Sequence, residues 1–138
     1  MIGNSNKRTW LRTFSFGLAF LLPILWSATL PGEPKEMEPI QLRTYMRKNP
    51  GTQLIDVRTS EERQRGKISR SKHIPVGEIS SARDRLNMEK PVITYCRSGR
   101  RGQTAAEILD KMGFREVYNL RGGIKAYSIE VDTSIRAD

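Results

Sequence analysis

The chain has 138 residues, of which 24 are basic and 15 acidic, and it holds one cysteine and one histidine. This length allows a single domain with one core, and a lone cysteine excludes an internal disulfide and a thiolate metal cluster. No metal and no other bound cofactor is therefore expected. The formal charge of +9 is scattered along the chain without a nucleic-acid motif, so it predicts a surface that attracts small anions rather than nucleic acid.

Residues 1–32 have the pattern of an export signal or a membrane anchor. Three basic residues precede an almost entirely apolar run, Phe14–Leu30. The run is longer than the apolar part of most signal peptides, slightly short for a comfortable membrane span, and followed by no good cleavage site. An uncleaved anchor is favoured over a cleaved signal, and both over a buried soluble helix. Because the basic residues should stay in the cytoplasm, the rest of the chain is predicted to lie outside it, in the periplasm or an equivalent space.

After a predicted linker at 33–38, short helices and strands alternate along residues 39–130, and residues 131–138 form a predicted tail. Hydrophobic periodicity and turn residues predict, in chain order, a helix at 40–48, a strand at 53–57, a helix at 59–65, an extended segment at 73–75, a helix at 77–87, a strand at 92–95, a helix at 103–112, a strand at 117–120 and a short helix ending at 127. This alternation is typical of an α/β domain whose small parallel sheet is covered by helices on both faces.

Two of the predicted helices carry clear terminal signals. Thr59 and Glu62 have the spacing of a capping box at the start of the second helix, and Gly66 ends that helix. Gly113 follows the helix at 103–112, where a left-handed glycine commonly closes the last turn. These signals fix the limits of the connecting loops.

Cys96 lies in a turn between the strand at 92–95 and the helix at 103–112, rich in glycine and arginine: Cys96-Arg97-Ser98-Gly99-Arg100-Arg101-Gly102. Ligands of parallel α/β domains bind at this end of the strands. A thiol with an ordinary pKa near ~8.5 is mostly protonated at neutral pH, and it needs an electropositive site to react as a thiolate. Backbone N–H groups and a helix N-terminus supply such a site. The turn therefore predicts chemistry on sulfur or on an anion rather than a buried structural cysteine.

Three segments of the chain together resemble the rhodanese (sulfurtransferase) family, over about residues 39–127. They are Leu54-Ile55-Asp56-Val57-Arg58 followed by Glu61-Glu62, then the active-site loop Cys96-Arg97-Ser98-Gly99-Arg100-Arg101, and then Leu120-Arg121-Gly122-Gly123. Each segment alone is weak, but all three in this order are specific. With its N-terminal signal or anchor, the chain is similar to the small periplasmic rhodaneses of bacteria.

The chain departs from the family pattern in two places. Residues 66–69 read Gly-Lys-Ile-Ser where Gly-His-Ile-Pro is usual, and Ile124 stands where an aromatic residue often follows the glycine pair. Both departures affect packing and the pocket rim, so they bear on substrate preference more than on the fold.

The resemblance implies a sulfurtransferase of the thiosulfate type, and we expect it to be a monomer. Cys96 would be the nucleophile, taking sulfane sulfur from thiosulfate, a polysulfide or a persulfide, and passing it as a Cys96 persulfide to cyanide or a thiol. The persulfide and the donor would be bound by the rest of the loop: Arg97, Ser98, Gly99, Arg100, Arg101 and Gly102. Arg97 and Arg100 would hold the anionic end of the donor, whereas Arg101 is either a third such group or structural.

The residues outside the loop are expected to support it. Asp56 is interpreted as a structural carboxylate paired with Arg58 rather than as a general base. His73 is interpreted as a surface or packing residue. The glycine pair Gly122-Gly123 is interpreted as a turn that the fold requires.

Two other functions stay open. Cysteine-dependent phosphatases and arsenate reductases also wrap a loop around an oxyanion, but they commonly place an arginine six residues after the cysteine, where this chain has Gly102. A non-catalytic rhodanese-like module that binds a partner is the second alternative. Such modules commonly lose the cysteine, and this chain keeps it.

Overall fold

A computed structural model describes residues 33–137. The strands are β1 Lys35–Met37, β2 Gln53–Asp56, β3 Lys72–His73, β4 Val92–Tyr95 and β5 Val117–Leu120. The helices are α1 Pro39–Lys48, α2 Ser60–Arg65, α3 Arg100–Lys111 and α4 Gly123–Glu130, with two short 3₁₀ helices at Val76–Ser81 and Arg83–Arg85. The predicted anchor, Phe14–Leu30, lies outside the described residues. Among residues 33–137, no helix combines the length and the apolar character that a membrane crossing needs.

Five parallel strands form the sheet in the order β1-β5-β4-β2-β3. The central strands β2 and β4 are buried along their whole length, as expected of a parallel sheet covered on both faces. Helices α1 and α4 pack together, and α3 packs against the 3₁₀ helix Val76–Ser81. The α/β fold with a parallel sheet, predicted from the alternation of elements, is therefore confirmed.

Successive residues of β2 point into two separate hydrophobic cores. Leu54 joins Leu42 of α1 and Tyr127 of α4 on one face, whereas Ile55 joins Leu109 of α3 on the other. This alternation is the period-2 geometry of a strand. Cys96 belongs to the same core as Ile55, so the thiol lies on the α3 face of the sheet.

Three parts of the predicted element order differ most from the structure. The segment 33–38, expected to be a linker, contains β1, whose residues Lys35 and Glu36 pair with β5 at Tyr118 and Asn119. The helix expected at 77–87 is instead two 3₁₀ helices. The helix expected to begin at 103 begins three residues earlier, at Arg100. The first two differences have a shared cause: these segments take their shape from neighbouring elements rather than from their own periodicity.

The C-terminal residues are not a free tail. Val131, Ile135 and Ala137 pack against the core on the α1–α4 face. The Arg136 backbone passes so close to Gly66 that a Cβ there would lie 2.4 Å from the Arg136 carbonyl oxygen. The last residues therefore help to close this face of the domain.

Candidate active site

Cys96 follows β4 directly, at the carboxyl end of the sheet. The residue is only 1 % exposed, and the Val57 N–H donates to the carbonyl oxygen of the preceding Tyr95 over 2.9 Å. The ladder between β2 and β4 therefore continues up to the residue before the thiol. The sulfur is held at the floor of the loop rather than at its rim.

The loop turns back on the sulfur at Gly99. The Gly99 N–H donates to Cys96 Sγ over 3.1 Å, and Gly99 has a φ of 98°, in the region that favours glycine. Gly99 is also the residue before α3. Because α3 begins at Arg100, its positive N-terminal end lies closer to the sulfur than the sequence predicted.

Helix α4 fixes the other side of the loop. The Ile124 N–H donates to the Cys96 carbonyl oxygen over 2.9 Å, and the Lys125 N–H donates to the Arg97 carbonyl oxygen over 3.1 Å. Gly123 makes this approach possible, because a Cβ there would lie 2.3 Å from the Cys96 carbonyl oxygen. The interpretation of the glycine pair as a simple turn missed this contact with the loop. The available signal was the position of the pair at the end of a strand of the same sheet.

Arg101 forms a two-pronged ion pair with Glu62 of α2. Its Nη1 and Nη2 donate to the two Glu62 carboxylate oxygens over 2.7 and 2.6 Å. These bonds lower the pKa of Glu62 to about 2 and raise the pKa of Arg101, to which the Cys96 sulfur contributes as a further partner. Arg101 is therefore held in place by Glu62, which favours the structural one of the two roles left open by the sequence.

Glu62 also closes the capping box of α2. Its carboxylate accepts the Thr59 N–H over 3.1 Å, and the Thr59 hydroxyl accepts the Glu62 N–H over 3.3 Å. One side chain thus caps α2 and restrains Arg101. The capping box was predicted from the spacing, but the contact with Arg101 was not.

Three other loop residues lie at the surface. Arg97, Ser98 and Arg100 are exposed, and Arg97 and Arg100 form no ion pair with any residue in 33–137. Both guanidinium groups are therefore available to an anion in solution. Arg101, by contrast, is occupied by Glu62.

Gly102 lets α3 approach β4 and β5 closely. A Cβ on Gly102 would lie 2.4 Å from Asn119 Oδ1 and 3.4 Å from Tyr95 Cα. The part predicted for this glycine in binding the persulfide stays a prediction.

A buried charged network lies beside the loop. Asp56 Oδ1 accepts Arg58 Nε–H over 2.9 Å, and Asp56 Oδ2 accepts Arg58 Nη2–H over 2.7 Å. Oδ2 also accepts the Tyr95 hydroxyl over 2.9 Å and Arg63 Nη1–H over 3.0 Å. Both carboxylate oxygens are thus engaged, which favours the supporting role predicted for Asp56 over that of a general base.

The ionisation of this network follows from its burial. Burial alone would raise the pKa of Asp56, but the hydrogen bonds and charge of Arg58 outweigh it and lower the pKa. Burial and the Asp56 charge raise the pKa of Tyr95 to about 12.

His73 Nε2 lies 2.8 Å from the Arg58 carbonyl oxygen, so the histidine is tied to the network as a packing residue. Among residues 33–137, no group of three or more potential metal ligands is close enough to hold an ion.

The comparison with known families agrees with this geometry. Residues 39–130 match the Rhodanese-like domain family. The chain is a member of the rhodanese-like domain family.

Relatives of this rhodanese-like domain include proteins named as sulfurtransferases. The putative sulfurtransferase YtwF of Bacillus subtilis is 35 % identical over 98 residues, which cover 71 % of this chain and 94 % of YtwF. The thiosulfate sulfurtransferase GlpE of Coxiella burnetii is 31 % identical over 81 residues, covering 59 % of this chain and 76 % of GlpE. The match to YqhL of Bacillus subtilis is 39 % identical but spans only 60 % of that protein.

Solved structures share the fold of this rhodanese-like domain. A rhodanese-like domain protein from Staphylococcus aureus superposes with a TM-score of 0.63 at 28 % identity, covering 67 % of this chain and 90 % of that one. The parallel sheet with its helices thus belongs to a known architecture.

Proposed function

We propose that this protein is a sulfurtransferase that carries sulfane sulfur on Cys96 as a persulfide. The observation that supports it best is the closed loop around one thiol, in which the Gly99 N–H donates to Cys96 Sγ over 3.1 Å. The relatives named as sulfurtransferases support the same class of reaction.

The proposed reaction has two steps and no net redox change. The Cys96 thiolate attacks the outer sulfur of thiosulfate, the S–S bond of the donor breaks, and sulfite leaves with the electron pair. Cyanide, or a thiolate, then attacks the outer sulfur of the Cys96 persulfide. The S–S bond to Cys96 breaks, thiocyanate or a new persulfide leaves, and the thiolate is restored.

The described residues supply the charge balance for both steps. The loop N–H, the start of α3 and Arg101 favour negative charge on Cys96 Sγ. The same groups favour negative charge on the outer sulfur of the persulfide. Exposed Arg97 and Arg100 attract the anionic donor to the loop. Asp56 and His73 are bound to their own partners, so we assign neither of them as a base, and the thiol proton passes to water.

No cofactor is proposed beyond the covalent persulfide. We also propose that the domain works as a monomer outside the cytoplasm, held at the membrane by residues 14–30. Protease added to spheroplasts, whose cytoplasmic membrane is closed, tests the location: digestion of the domain is expected, and full protection would contradict it.

The activity is tested with Cys96→Ser. We expect the wild type to form thiocyanate from thiosulfate and cyanide, and the variant to form none. Mass spectrometry should show one added sulfur atom on Cys96 after thiosulfate or polysulfide treatment. Residual transfer near the wild-type rate would overturn the mechanism, and clear Cys96-dependent hydrolysis of p-nitrophenyl phosphate would favour the phosphatase alternative.

A further inference from the structure

A cleft lies on the face of the sheet opposite Cys96, between α1, α4 and the segment 68–70. We name it the α1–α4 cleft. Its volume is about 380 Å³, and its lining includes Leu42, Arg43, Met46, Arg47, Ile68 and Arg70. A volume of this size is within the range of small-molecule sites, about 300–1,000 Å³.

The lining of the α1–α4 cleft is apolar at its floor and basic at its rim. Leu42, Ile68 and Tyr127 belong to the hydrophobic core of this face, and Met46 packs against it. The rim carries three arginines and a single carboxylate, Asp132, which lies 3.5 Å from Arg43. Because Asp132 offsets the charge of Arg43, two further positive charges remain.

Arg70, which carries one of these two charges, has an unusual backbone conformation. Arg70 has a φ of 65° and is the only residue other than glycine with a positive φ in 33–137. An arginine in this conformation is strained, whereas glycine or asparagine adopts it easily. The Arg70 side chain is exposed, and no ion pair or side-chain hydrogen bond within 33–137 holds its guanidinium group. Strain of this kind is commonly retained for function.

We propose that the α1–α4 cleft binds a small amphipathic carboxylate from solution, with its head group at Arg47 and Arg70 and its apolar body on the floor. Arginine matches the planar geometry of a carboxylate with two parallel N–H···O bonds. The apolar floor requires the ligand to carry a hydrocarbon body as well. This site is separate from Cys96, and it does not depend on the proposed sulfur transfer.

Amide chemical shifts of the isotope-labelled full chain test the proposal with decanoate as the probe. We expect shifts to concentrate at Ile68, Arg70 and Tyr127. Decanol, which lacks the charge, and acetate, which lacks the apolar body, are each expected to bind at least tenfold more weakly. Equal affinity for decanol and decanoate, or shifts confined to residues 1–32, would overturn the proposal.

Variants at Arg70 separate binding from folding. Arg70→Gly and Arg70→Asn both suit the positive φ, so both should fold at least as well as the wild type. We expect each to weaken decanoate binding about tenfold, as the loss of a charge-assisted hydrogen bond predicts. Arg115→Asn removes an exposed arginine outside the cleft and is the control. Unchanged affinity of both Arg70 variants for decanoate would contradict the proposal. The protein's binding only to vesicles that contain phosphatidylglycerol, and not to free decanoate, would also contradict it.

Discussion

Glu62 and Arg101 are 39 residues apart in the chain, yet both carboxylate oxygens of Glu62 accept hydrogen bonds from Arg101, at 2.6 and 2.7 Å. This pair joins the cap of α2 to the first turn of α3. Since the Cys96 sulfur also helps to raise the pKa of Arg101, Glu62 contributes to the surroundings of the thiol without being a reactive group itself.

Arg101→Gln should make the Cys96 thiol less reactive, because it removes a positive charge near the loop and leaves the Glu62 carboxylate unpaired. We expect the rate of alkylation by iodoacetamide at neutral pH to fall by about fivefold or more. Arg97→Gln removes the same charge from the exposed rim and is the matched control. It should raise the KM for thiosulfate while leaving the alkylation rate nearly unchanged. Equal alkylation rates for wild type and Arg101→Gln would refute the role assigned to Arg101.

The stability of the protein should fall in acid through Glu62. Its pKa is about 2 in the folded protein, below the usual value of 4.5. The pair therefore stabilises the fold fully above about pH 5, and this contribution is lost as the pH falls towards 2. Glu62→Gln should be less stable than the wild type in urea at pH 7, and the gap should narrow steadily as the pH falls from about 5 to about 2. Glu130→Gln, a change at an exposed carboxylate at the end of α4, is the control, and a gap for Glu62→Gln that is independent of pH would contradict this account.

Asp56→Asn should be among the most damaging substitutions. Asp56 is 0 % and Arg58 1 % exposed, so loss of the carboxylate leaves a buried guanidinium without its counter-charge. Breaking such a pair costs about 3–5 kcal/mol. Urea unfolding of Asp56→Asn beside Asp84→Asn, which changes an exposed residue, measures the cost. A loss below about 1 kcal/mol, within the range of an ordinary surface change, would show that the network is dispensable.

Gly123→Ala should disturb the loop from the side of α4. The new Cβ would meet the Cys96 carbonyl oxygen at 2.3 Å and the Arg97 carbonyl oxygen at 2.8 Å, at a φ of 60°. We expect a loss of about 2 kcal/mol or more in unfolding free energy. Thiocyanate formation should fall at least tenfold, because the displaced carbonyl group is that of Cys96, the proposed nucleophile. Gly77→Ala, where a Cβ meets nothing within 4 Å, should match the wild type in both assays. Normal activity in Gly123→Ala would mean that the loop does not depend on this contact.

The features that sequence patterns predicted are those set by neighbours along the chain. The strand Val92–Tyr95 was predicted at its observed limits because four consecutive buried positions in a parallel sheet need four apolar or β-favouring residues. The capping box of Thr59 and Glu62 was found because its two partners are three residues apart. The pairing of Asp56 with Arg58 was likewise accessible from their spacing.

The features that sequence patterns missed depend on distant partners. β1 has three residues, two of them charged and exposed, and it becomes a strand only because β5 offers an edge to pair with. The contacts of Glu62 with Arg101, and of Gly123 with Cys96, join segments that the chain order does not place together. The early start of α3 follows from the left-handed Gly99, whose conformation is set by closure of the loop.

The bonds between α4 and the loop run from backbone to backbone, from Ile124 and Lys125 to the carbonyl groups of Cys96 and Arg97. Such bonds do not depend on the side chain, so the residues that donate them can be substituted without losing the bonds. Position 125, which is exposed, should tolerate almost any amino acid except proline, and position 124 should accept other apolar residues. Position 123 should admit glycine alone. Homologues are therefore expected to vary freely at position 125, only among apolar residues at position 124, and not at all at position 123.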